Sequence, residues 1–360
     1  MLTTGLKTKY GAFCDLHSSV TMVHIIDRKA KVKVHKEIAS TPGAMMKIIK
    51  PFENDISVYV ESTFNYYWVA DLCEKKRIPF FLGHALYIKR ARQGKHKDDD
   101  RDTHLMAGLA RRDSFPLAYH YPSEMRSARD LFRRRMSFVT YRAGLYKRIQ
   151  NVVYQHGYVD SVTEMLKKQQ GRYAILTRFK DPTVALTVEK DISMIDKVDI
   201  IINELEIEAK KKAIHYDPLA YRILTATPGI GDACALTILY EVHNVKRFST
   251  VQDFSSYSRT VSAACESAGK RVGKGDSKIG NPTLCWVFHE ITCHMQRFSP
   301  PIKLWYENLK KRKGPKCAKA IFAHKVSVAV YYMLKRKELF DENRFLGCYN
   351  TKSHTTNRKS

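Results

Sequence analysis

The stretch from Tyr10 to His35 reads YGAFCDLHSSVTMVHIIDRKAKVKVH and decides the fold of the N-terminal third. Residues 10–15 and 21–26 are β-prone and partly alternate between apolar and polar side chains, and residues 31–35 alternate basic residues with valine. Alternation with a period of two is typical of strands with one buried face. The stretch therefore predicts three consecutive β-strands.

Further elements extend this pattern downstream. A helical stretch begins at Pro42 and runs to about Pro51, an apolar strand covers residues 56–60, helical spacing covers 64–76, and a second apolar strand covers 78–82. The order β-β-β-α-β-α-β followed by helices is that of a ribonuclease-H-like fold, a mixed sheet with helices on its faces. We therefore predict an α/β domain followed by a mainly α region.

The composition indicates a polyanionic partner. The 360 residues include 62 Lys and Arg against 36 Asp and Glu, a formal net charge of +26. Basic residues release counterions from phosphates while aromatic rings stack on bases, so nucleic acid is the expected partner. No apolar run is long enough for a membrane span and no secretory signal is visible, so we expect a cytoplasmic, nucleoid-associated protein without membrane contact. The eight cysteines form no Cys-x-x-Cys pair, and neither a zinc ribbon nor a disulfide framework is indicated.

Four carboxylates crowd into the segment Lys97-Asp-Asp-Asp-Arg-Asp102 of this basic chain. Such a cluster repels phosphates unless divalent cations lie between them, and carboxylates with Mg²⁺ suit phosphodiester cleavage. Asp99 and Asp102 are three residues apart and share one face of the helix they open. Asp15 on the first strand and Glu61 at the end of the fourth complete a candidate metal site. The alternative for the cluster is an acidic N-terminal helix cap.

Two long amphipathic helices are predicted in the middle of the chain. One spans roughly residues 124–157, and its basic face includes Arg133 and Arg134 as candidates for nucleic-acid binding. The other carries a short coiled-coil seam at a and d positions, formed by Ile195, Val198, Ile202, Leu205 and Ala209. The seam predicts either a contact between subunits or an ordinary helical hairpin. Of the two, we favour the subunit contact.

Two glycine-rich segments mark the C-terminal third. Leu224-Thr-Ala-Thr-Pro-Gly229-Ile-Gly231 has the form of a helix-hairpin-helix turn, in which Gly229 and Gly231 let backbone amides approach a phosphate. The segment 265–281 is rich in glycine, serine and lysine, which predicts a loop that cradles phosphate and presents hydroxyls to it, or one that only holds DNA. Its candidate nucleic-acid contacts are Lys270, Arg271, Lys274, Lys278 and Asn281.

Five motifs together resemble the DEDD transposases of bridge-RNA-guided insertion sequences. They are the surroundings of Asp15 and of Glu61, the segment 95–102, the turn 228–231, and Glu266-Ser267-Ala-Gly-Lys270 with Gly280-Asn281. The resemblance runs from about residue 10 to residue 335. It implies a RuvC-like nuclease domain, a coiled-coil connector and a serine-bearing transposase domain. With the helical pattern, we predict these at 1–123, 124–215 and 216–340, and a disordered polar tail at 341–360.

Carried onto this chain, the resemblance implies the site and its partners. Asp15, Glu61, Asp99 and Asp102 become the catalytic, metal-binding quartet, with Mg²⁺ or Mn²⁺ as cofactor, and Ser267 becomes the nucleophile of a phosphoserine intermediate. Donor and target DNA are the implied substrates, and a non-coding guide RNA is the implied partner. The implied assembly is a homo-oligomer, a dimer or tetramer, in which the serine of one subunit meets the acids of another.

Two other interpretations stay open at this point. The first is a metal-dependent nuclease such as a junction resolvase, in which water attacks the phosphate and the serine segment only binds DNA. The second is a non-catalytic nucleic-acid-binding protein in which the acids are structural.

Overall fold

The computed structural model describes the backbone of residues 2–91, 99–261, 264–267, 270–274 and 279–353, and their side chains except at 99–100, 264–267, 270–274 and 348–353. Contacts between residues divide the chain into two units, Met1–Ser123 and Glu124–Ser360. The further division of the second unit at residue 215 stays a prediction.

The first unit contains a mixed sheet and the helices that cover it. Its strands are β1 (Thr3–Thr4), β2 (Tyr10–Leu16), β3 (Val20–Asp27), β4 (Val32–Ala39), β5 (Ile56–Glu61), β6 (Phe80–Gly83) and β7 (Phe115–Pro116). Its helices are α1 (Pro42–Ile49), α2 (Tyr67–Lys76), α3 (Ala85–Ala91) and α4 (Asp99–Arg111), and a 3-10 helix, Lys50–Asp55, follows α1. The predicted order β-β-β-α-β-α-β is confirmed.

The main sheet has the strand order β4-β3-β2-β5-β6. Its first three strands form an antiparallel meander, whereas β5 pairs parallel to β2 and β6 pairs parallel to β5. The short strands β1 and β7 pair with each other outside this sheet. The sheet is therefore mixed, as the order of the elements predicts.

Alternating residues of the central strands bury the two faces of the sheet in different cores. Cys14 and Val60 lie in the core that includes residues of α1 and α2. Phe13 and Tyr59 lie in the opposite core, where their rings stack 4.8 Å apart and residues of α4 such as Met106 pack beside them. The position of α4 over β2 and β3 follows from this second core.

The second unit is mostly helical. Its helices are α5 (Ser123–Gln155), α6 (Thr163–Leu166), α7 (Gln169–Ala174), α8 (Pro182–Tyr216), α9 (Pro218–Thr225), α10 (Asp232–Val242), α11 (Val251–Tyr257), α12 (Pro282–Phe298), α13 (Pro300–Lys313), α14 (Pro315–Arg336) and α15 (Glu342–Ser353). The strands β8 (Ala264–Ser267) and β9 (Lys270–Lys274) form a hairpin, and 3-10 helices cover Leu176–Arg178 and Val245–Arg247. Around α14 pack α11, α12 and α13, and α12 also packs against α10.

Helices α5 and α8 form an antiparallel hairpin. Three ion pairs join them in register, Arg135 with Glu206, Arg142 with Asp199, and Arg148 with Asp191. As the arginine number rises, the number of its acidic partner falls by nearly the same amount, which is the pairing pattern of antiparallel helices. Part of the basic face predicted on α5 is therefore used inside the chain.

The predicted coiled-coil seam of α8 lies inside the chain. Ile195, Val198, Ile202 and Ala209 are buried, and Ile195 belongs to a core that also contains Leu145 of α5. The favoured expectation that this seam contacts another subunit is therefore wrong, and the alternative of a helical hairpin describes it. Apolar spacing at a and d positions indicates that one face of a helix is buried. It does not indicate whether the partner helix belongs to the same chain.

Part of the segment predicted to be a disordered tail is helical. Helix α15 occupies residues 342–353 of the segment 341–360, for which we expected disorder. Phe345 is buried, with its ring near those of Trp305 and Phe322, and the hydroxyl of Ser299 donates a 2.6 Å hydrogen bond to Glu342. The burial of Phe345 and the hydrogen bond to Glu342 stabilise this helix despite the polar composition on which the expectation was based.

Candidate active site

Two of the predicted acids end adjacent parallel strands. In the pairing of β2 with β5, Cys14 lies opposite Val60, so Asp15 and Glu61 are the next residues along each strand. Neighbouring strands are about 4.8 Å apart, which brings the two residues side by side at the edge of the sheet. Asp15 is only 8% exposed and Glu61 is half-buried.

Asp102 lies on α4, the helix that covers the face of the sheet to which Asp15 and Glu61 point. Phe13 and Tyr59 face α4, and residues two positions further along each strand, Asp15 and Glu61, point to the same side. Asp102 precedes Met106 by one helical turn, lies on the sheet-facing side of α4 and is 3% exposed. The fold therefore brings these three predicted acids to one face of one sheet edge.

The fourth predicted acid opens the helix that carries Asp102. Asp99 is the first residue of α4 and lies three positions before Asp102. Its side chain lies outside the described residues. A spacing of three on a helix remains the basis for assigning Asp99 to the same site.

Hydrogen bonds tie together the loops that follow the two acid-bearing strands. The side-chain amide of Asn65 donates a 3.0 Å hydrogen bond to the backbone carbonyl of His17, and Thr63 donates to Asn65 at 2.9 Å. The His17 ring lies 3.5 Å from the Asp15 carboxylate. Asn65 thus fixes the chain after Glu61 against the chain after Asp15, a role that the single sequence did not reveal.

The acids suit a hard divalent cation. Carboxylate oxygens are the donors that Mg²⁺ and Mn²⁺ prefer, and two of the three described acids are nearly excluded from water. Like-charged groups buried on one face are costly unless a cation lies among them. Asp15, Glu61 and Asp102, with Asp99, are therefore the residues that would hold such an ion.

The predicted serine loop contains a β-hairpin. Strands β8 and β9 pair antiparallel, with Glu266 opposite Arg271 and Ser267 opposite Lys270. Ser267 is the last residue of β8, so its backbone lies at the turn of the hairpin. The side chains of Ser267, Lys270, Arg271 and Lys274, and the whole of Lys278, lie outside the described residues. These strands were not predicted because the segment 265–281 is rich in glycine, serine and lysine, and glycine and lysine are depleted in strands.

The base of this hairpin is held together at both ends. The hydroxyl of the buried Thr260 lies 2.9 Å from that of Ser327 on α14. The Arg259 side chain donates to the carbonyl of Ile279 at 2.9 Å, and the backbone amide of Asn281 donates to the carbonyl of Tyr257 at 2.6 Å. The residues just before and just after the hairpin therefore lie side by side.

Two residues predicted to bind nucleic acid meet a buried carboxylate. Glu241 of α10 accepts hydrogen bonds from Arg133 at 2.7 Å, from Arg129 at 3.0 Å and from the side chain of Asn281 at 2.7 Å. Burial alone would raise the pKa of Glu241, but Arg133 and Arg129 outweigh burial and hold that pKa below its ordinary value. No local pattern in the sequence marks Glu241, because its partners are distant along the chain.

The structure engages Asn281 and Arg133 internally. Asn281 is 4% exposed and is the N-cap of α12. Its side-chain oxygen Oδ1 accepts hydrogen bonds from the backbone amides of Thr283 and Leu284. Arg133 remains partly exposed beside its ion pair, and Arg134 is exposed on α5. Contact with nucleic acid stays a prediction for all three, and Asn281 would have to leave Glu241 and the helix cap to make it.

The two glycines of the predicted helix-hairpin-helix turn differ in their surroundings. Gly229 has a positive φ of 81°, and a Cβ there would lie 2.5 Å from the backbone nitrogen of Met295. Gly231 is the N-cap of α10 with open space around it, but the first helical residue is Asp232, which pairs with Lys210 at 2.7 Å. Close packing explains Gly229, whereas only Gly231 leaves room for a ligand.

Two family models match the chain. A DEDD-type IS110 model, described as Transposase, matches residues 14–157. A second model, described as Transposase IS116/IS110/IS902 family, matches residues 221–307. Both matches indicate one family, and together they cover more than half of the chain.

The chain belongs to the IS110 family of DEDD transposases. It is a DNA transposase of an insertion sequence, an enzyme that cuts and rejoins DNA. No curated protein matches it.

The family matches agree with the two parts of the molecule that carry the predicted site. The first match includes the four acids and all of α5, and the second includes the glycine turn, Ser267 and Asn281. The mixed sheet is consistent with a RuvC-like DEDD fold, and transposases of this type typically use a divalent metal. Among the described residues of this IS110-family transposase, no helix is long and apolar enough to cross a membrane.

Proposed function

We propose that this transposase cuts and rejoins DNA strands with Asp15, Glu61, Asp99 and Asp102 of one subunit and the hydroxyl of Ser267 of another. The observation that carries the proposal is the buried convergence of Asp15 and Asp102, beside Glu61, at one edge of the sheet. A chain with a net charge of +26 attracts DNA, and acids at that edge then meet its phosphates.

Ser267 is the proposed nucleophile. As its Oγ attacks phosphorus, the Oγ–P bond forms, the P–O3′ bond breaks, the serine proton passes to water and the released 3′ oxygen is protonated. When bound by the four acids, Mg²⁺ or Mn²⁺ supplies positive charge to the scissile phosphate. Attack by the 3′ hydroxyl of a second strand then frees Ser267 and joins the strands. The phosphoserine conserves the energy of the broken bond for this rejoining.

The β8–β9 hairpin supports the nucleophile assignment. It presents Ser267 at its turn, opposite Lys270, on strands that also carry Arg271 and Lys274. Such a basic hairpin suits a segment that approaches the DNA backbone. Its clamped base, with Thr260 and Asn281 buried, would hold the serine in a defined position.

Trapping on a suicide DNA substrate tests the chemistry. We expect wild-type protein to form a covalent protein–DNA adduct in Mg²⁺, Ser267→Ala to form none, and Asp102→Asn to lose cutting altogether. Ser249→Ala removes an exposed hydroxyl elsewhere in the second unit and is the matched control. Strand cutting without an adduct in the wild type would indicate water as the nucleophile, as in a junction resolvase. Absence of any cutting in Mg²⁺ or Mn²⁺ would favour a non-catalytic DNA-binding protein.

A non-coding guide RNA is the proposed partner, on the strength of the family resemblance. The exposed Arg134 and the basic residues of the hairpin segment, Lys270, Arg271, Lys274 and Lys278, are the proposed nucleic-acid contacts. The DNA flanking the gene should encode a structured RNA with loops complementary to the element's ends and its insertion site. Recombination in a purified system should require that transcript, and equal recombination without it would contradict this part of the proposal. Binding to DNA would place the protein at the nucleoid in the cytoplasm.

The proposed oligomer uses an apolar stripe on α8 that faces away from the buried seam. The stripe consists of Leu186, Ile200, Ile207 and Ile214, which are exposed and recur at multiples of seven residues. Heptad spacing keeps the four on one side of the helix, as in a coiled coil. Burying this stripe against a second copy would remove it from water.

A matched pair of isoleucines tests the stripe. Ile200 is 59% exposed, whereas Ile202 is 3% exposed in the intrachain seam. We expect Ile200→Lys to lower the mass in sedimentation without changing the unfolding midpoint. Ile202→Ala should instead cost about 2 to 5 kcal/mol of stability. An unchanged oligomer in Ile200→Lys combined with Ile207→Lys would exclude this surface.

A further inference from the structure

Three histidines converge on the face of the sheet that α4 covers. His24 lies on β3, His35 on the edge strand β4 and His104 on α4. Each offers one ring nitrogen, and these nitrogens all lie within 4.8 Å of one another. The ring centroids are 4.1 Å apart for His24 and His104, and 4.9 Å apart for His24 and His35. Three separate elements therefore present imidazole nitrogens to one point.

The strand register fixes two members of this cluster. His24 lies directly opposite His35 on β4 and opposite Phe13 on β2, so both histidines are on the α4 side of the sheet. His24 is buried, whereas His35 and His104 are exposed. The cluster thus has one buried ring and two rings at the surface.

We propose that His24, His35 and His104 bind a Zn²⁺ ion, at a site separate from that of the acids. Zinc accepts three histidine nitrogens and one water in a tetrahedral arrangement, with Zn–N distances of about 2.0 to 2.1 Å. That geometry places the nitrogens about 3.3 Å apart, a separation that small rotations of the two exposed rings can reach. Imidazole suits zinc, whereas Mg²⁺ prefers the oxygen ligands of the acid site.

The charges beside His35 accommodate a cation despite the basic composition of the chain. Lys33 and Glu37 lie two residues before and two residues after His35 on β4. Glu37 shares the face of His35, whereas a β-bulge between Ile25 and Ile26 shifts the register at Lys33. Lys33 forms an ion pair with Asp27 at 3.1 Å, which offsets its charge, and Glu37 adds a negative charge on the other side. The zinc ion would therefore not face an unbalanced lysine.

The zinc site would tie α4 to β3 and β4. His104 follows Asp102 by two residues, so an ion held between the strands and His104 also restrains the helix that carries Asp102. This positioning role rests on the function proposed above for Asp102, whereas zinc binding itself does not.

Zinc titration of the metal-free, full-length protein tests the site. We expect the wild type to take up one equivalent of Zn²⁺ in competition with a chromophoric chelator, and its Tm to rise on binding. Co²⁺ in place of zinc should give the intense visible absorption of a tetrahedral site. The variants His35→Ala and His104→Ala change exposed side chains. Each should fail to bind the equivalent of Zn²⁺ and should show no rise in Tm. His215→Ala, which removes an exposed histidine of α8, should keep both.

Two outcomes would overturn the zinc site. The first is no zinc uptake by the wild type, and the second is unchanged uptake by both His35→Ala and His104→Ala, which would leave the rings as packing groups. Asp102→Ala separates this site from the acid site, because it should keep zinc and lose DNA cutting. Loss of zinc in Asp102→Ala would contradict a separate site, whereas normal cutting by Asp102→Ala would refute the proposed function and leave the zinc result standing.

Discussion

The side-chain amide of Asn281 donates a 2.7 Å hydrogen bond to the carboxylate of Glu241. Asn281 caps α12 at the base of the serine hairpin, and Glu241 also accepts from Arg129 and Arg133 of α5. One buried carboxylate therefore connects the long basic helix of the second unit with the base of the hairpin that carries Ser267.

Removing the charge of Glu241 should destabilise the second unit. In Glu241→Gln, the nearly buried Arg129 loses its counter-charge, and breaking such a buried pair costs roughly 3 to 5 kcal/mol. We expect a value near the lower limit because Arg133 is partly exposed. Urea unfolding measures the loss. Glu208→Gln, which removes a surface partner of Lys212, should stay within about 0.5 kcal/mol of the wild type, and equal losses in the two variants would contradict the network.

The same carboxylate predicts a dependence of stability on pH. Because the folded-state pKa of Glu241 is lowered, its contribution is fully present above the ordinary value of 4.5 and is lost as the pH falls below that value toward the folded-state pKa. The difference in Tm between wild type and Glu241→Gln should therefore be constant from pH 7 to about pH 5 and shrink at lower pH. A difference that grows on acidification would contradict the lowered pKa.

Local patterns were sufficient to predict the first unit but not the connections within the second. Period-two alternation before His35 and the apolar runs near residues 58 and 80 specify strands whose partners are close in sequence or joined by short helices. Glu241 and Asn281, by contrast, acquire their roles from contacts across 40 residues, and no local periodicity records such a contact. The seam of α8 shows the same limit, because burial of Ile202 predicts a partner helix without saying which one.

The acid site was predictable in part, because local patterns identify the strands that carry two of its acids. Asp15 and Glu61 end strands that periodicity identifies, so their convergence follows from the order of the elements. Asn65 and the cluster around His24 depend on how loops and α4 pack on the sheet, which a single sequence does not encode locally.

Asn65 should support cutting more than stability. Asn65→Ala removes the hydrogen bond that joins the loops after Asp15 and Glu61, at a cost of about 0.5 to 1.5 kcal/mol in unfolding free energy. Loss of a group that orients metal ligands typically costs 10- to 100-fold in activity or metal affinity, and we expect a decrease of about that size in the rate of DNA cutting. The exposed Asn54→Ala in the same unit is the control. A cutting rate within about twofold of the wild type would remove Asn65 from the site.

Substitutions of the two glycines in the turn at 228–231 test packing and DNA binding separately. Gly229→Ala should cost at least about 2 kcal/mol, because the residue has a positive φ and its new methyl group would meet the backbone of Met295. Gly231→Ala meets open space and should cost less than about 1 kcal/mol, the penalty of a poorer N-cap. Its methyl group would nevertheless stand where a phosphate must approach the amides of α10, so we expect weaker binding to duplex DNA at an unchanged fold. Unfolding curves and fluorescence anisotropy with one labelled duplex measure both quantities. If Gly231→Ala binds as tightly as the wild type, the turn only connects two helices, and duplex binding must reside in other basic segments such as the serine hairpin.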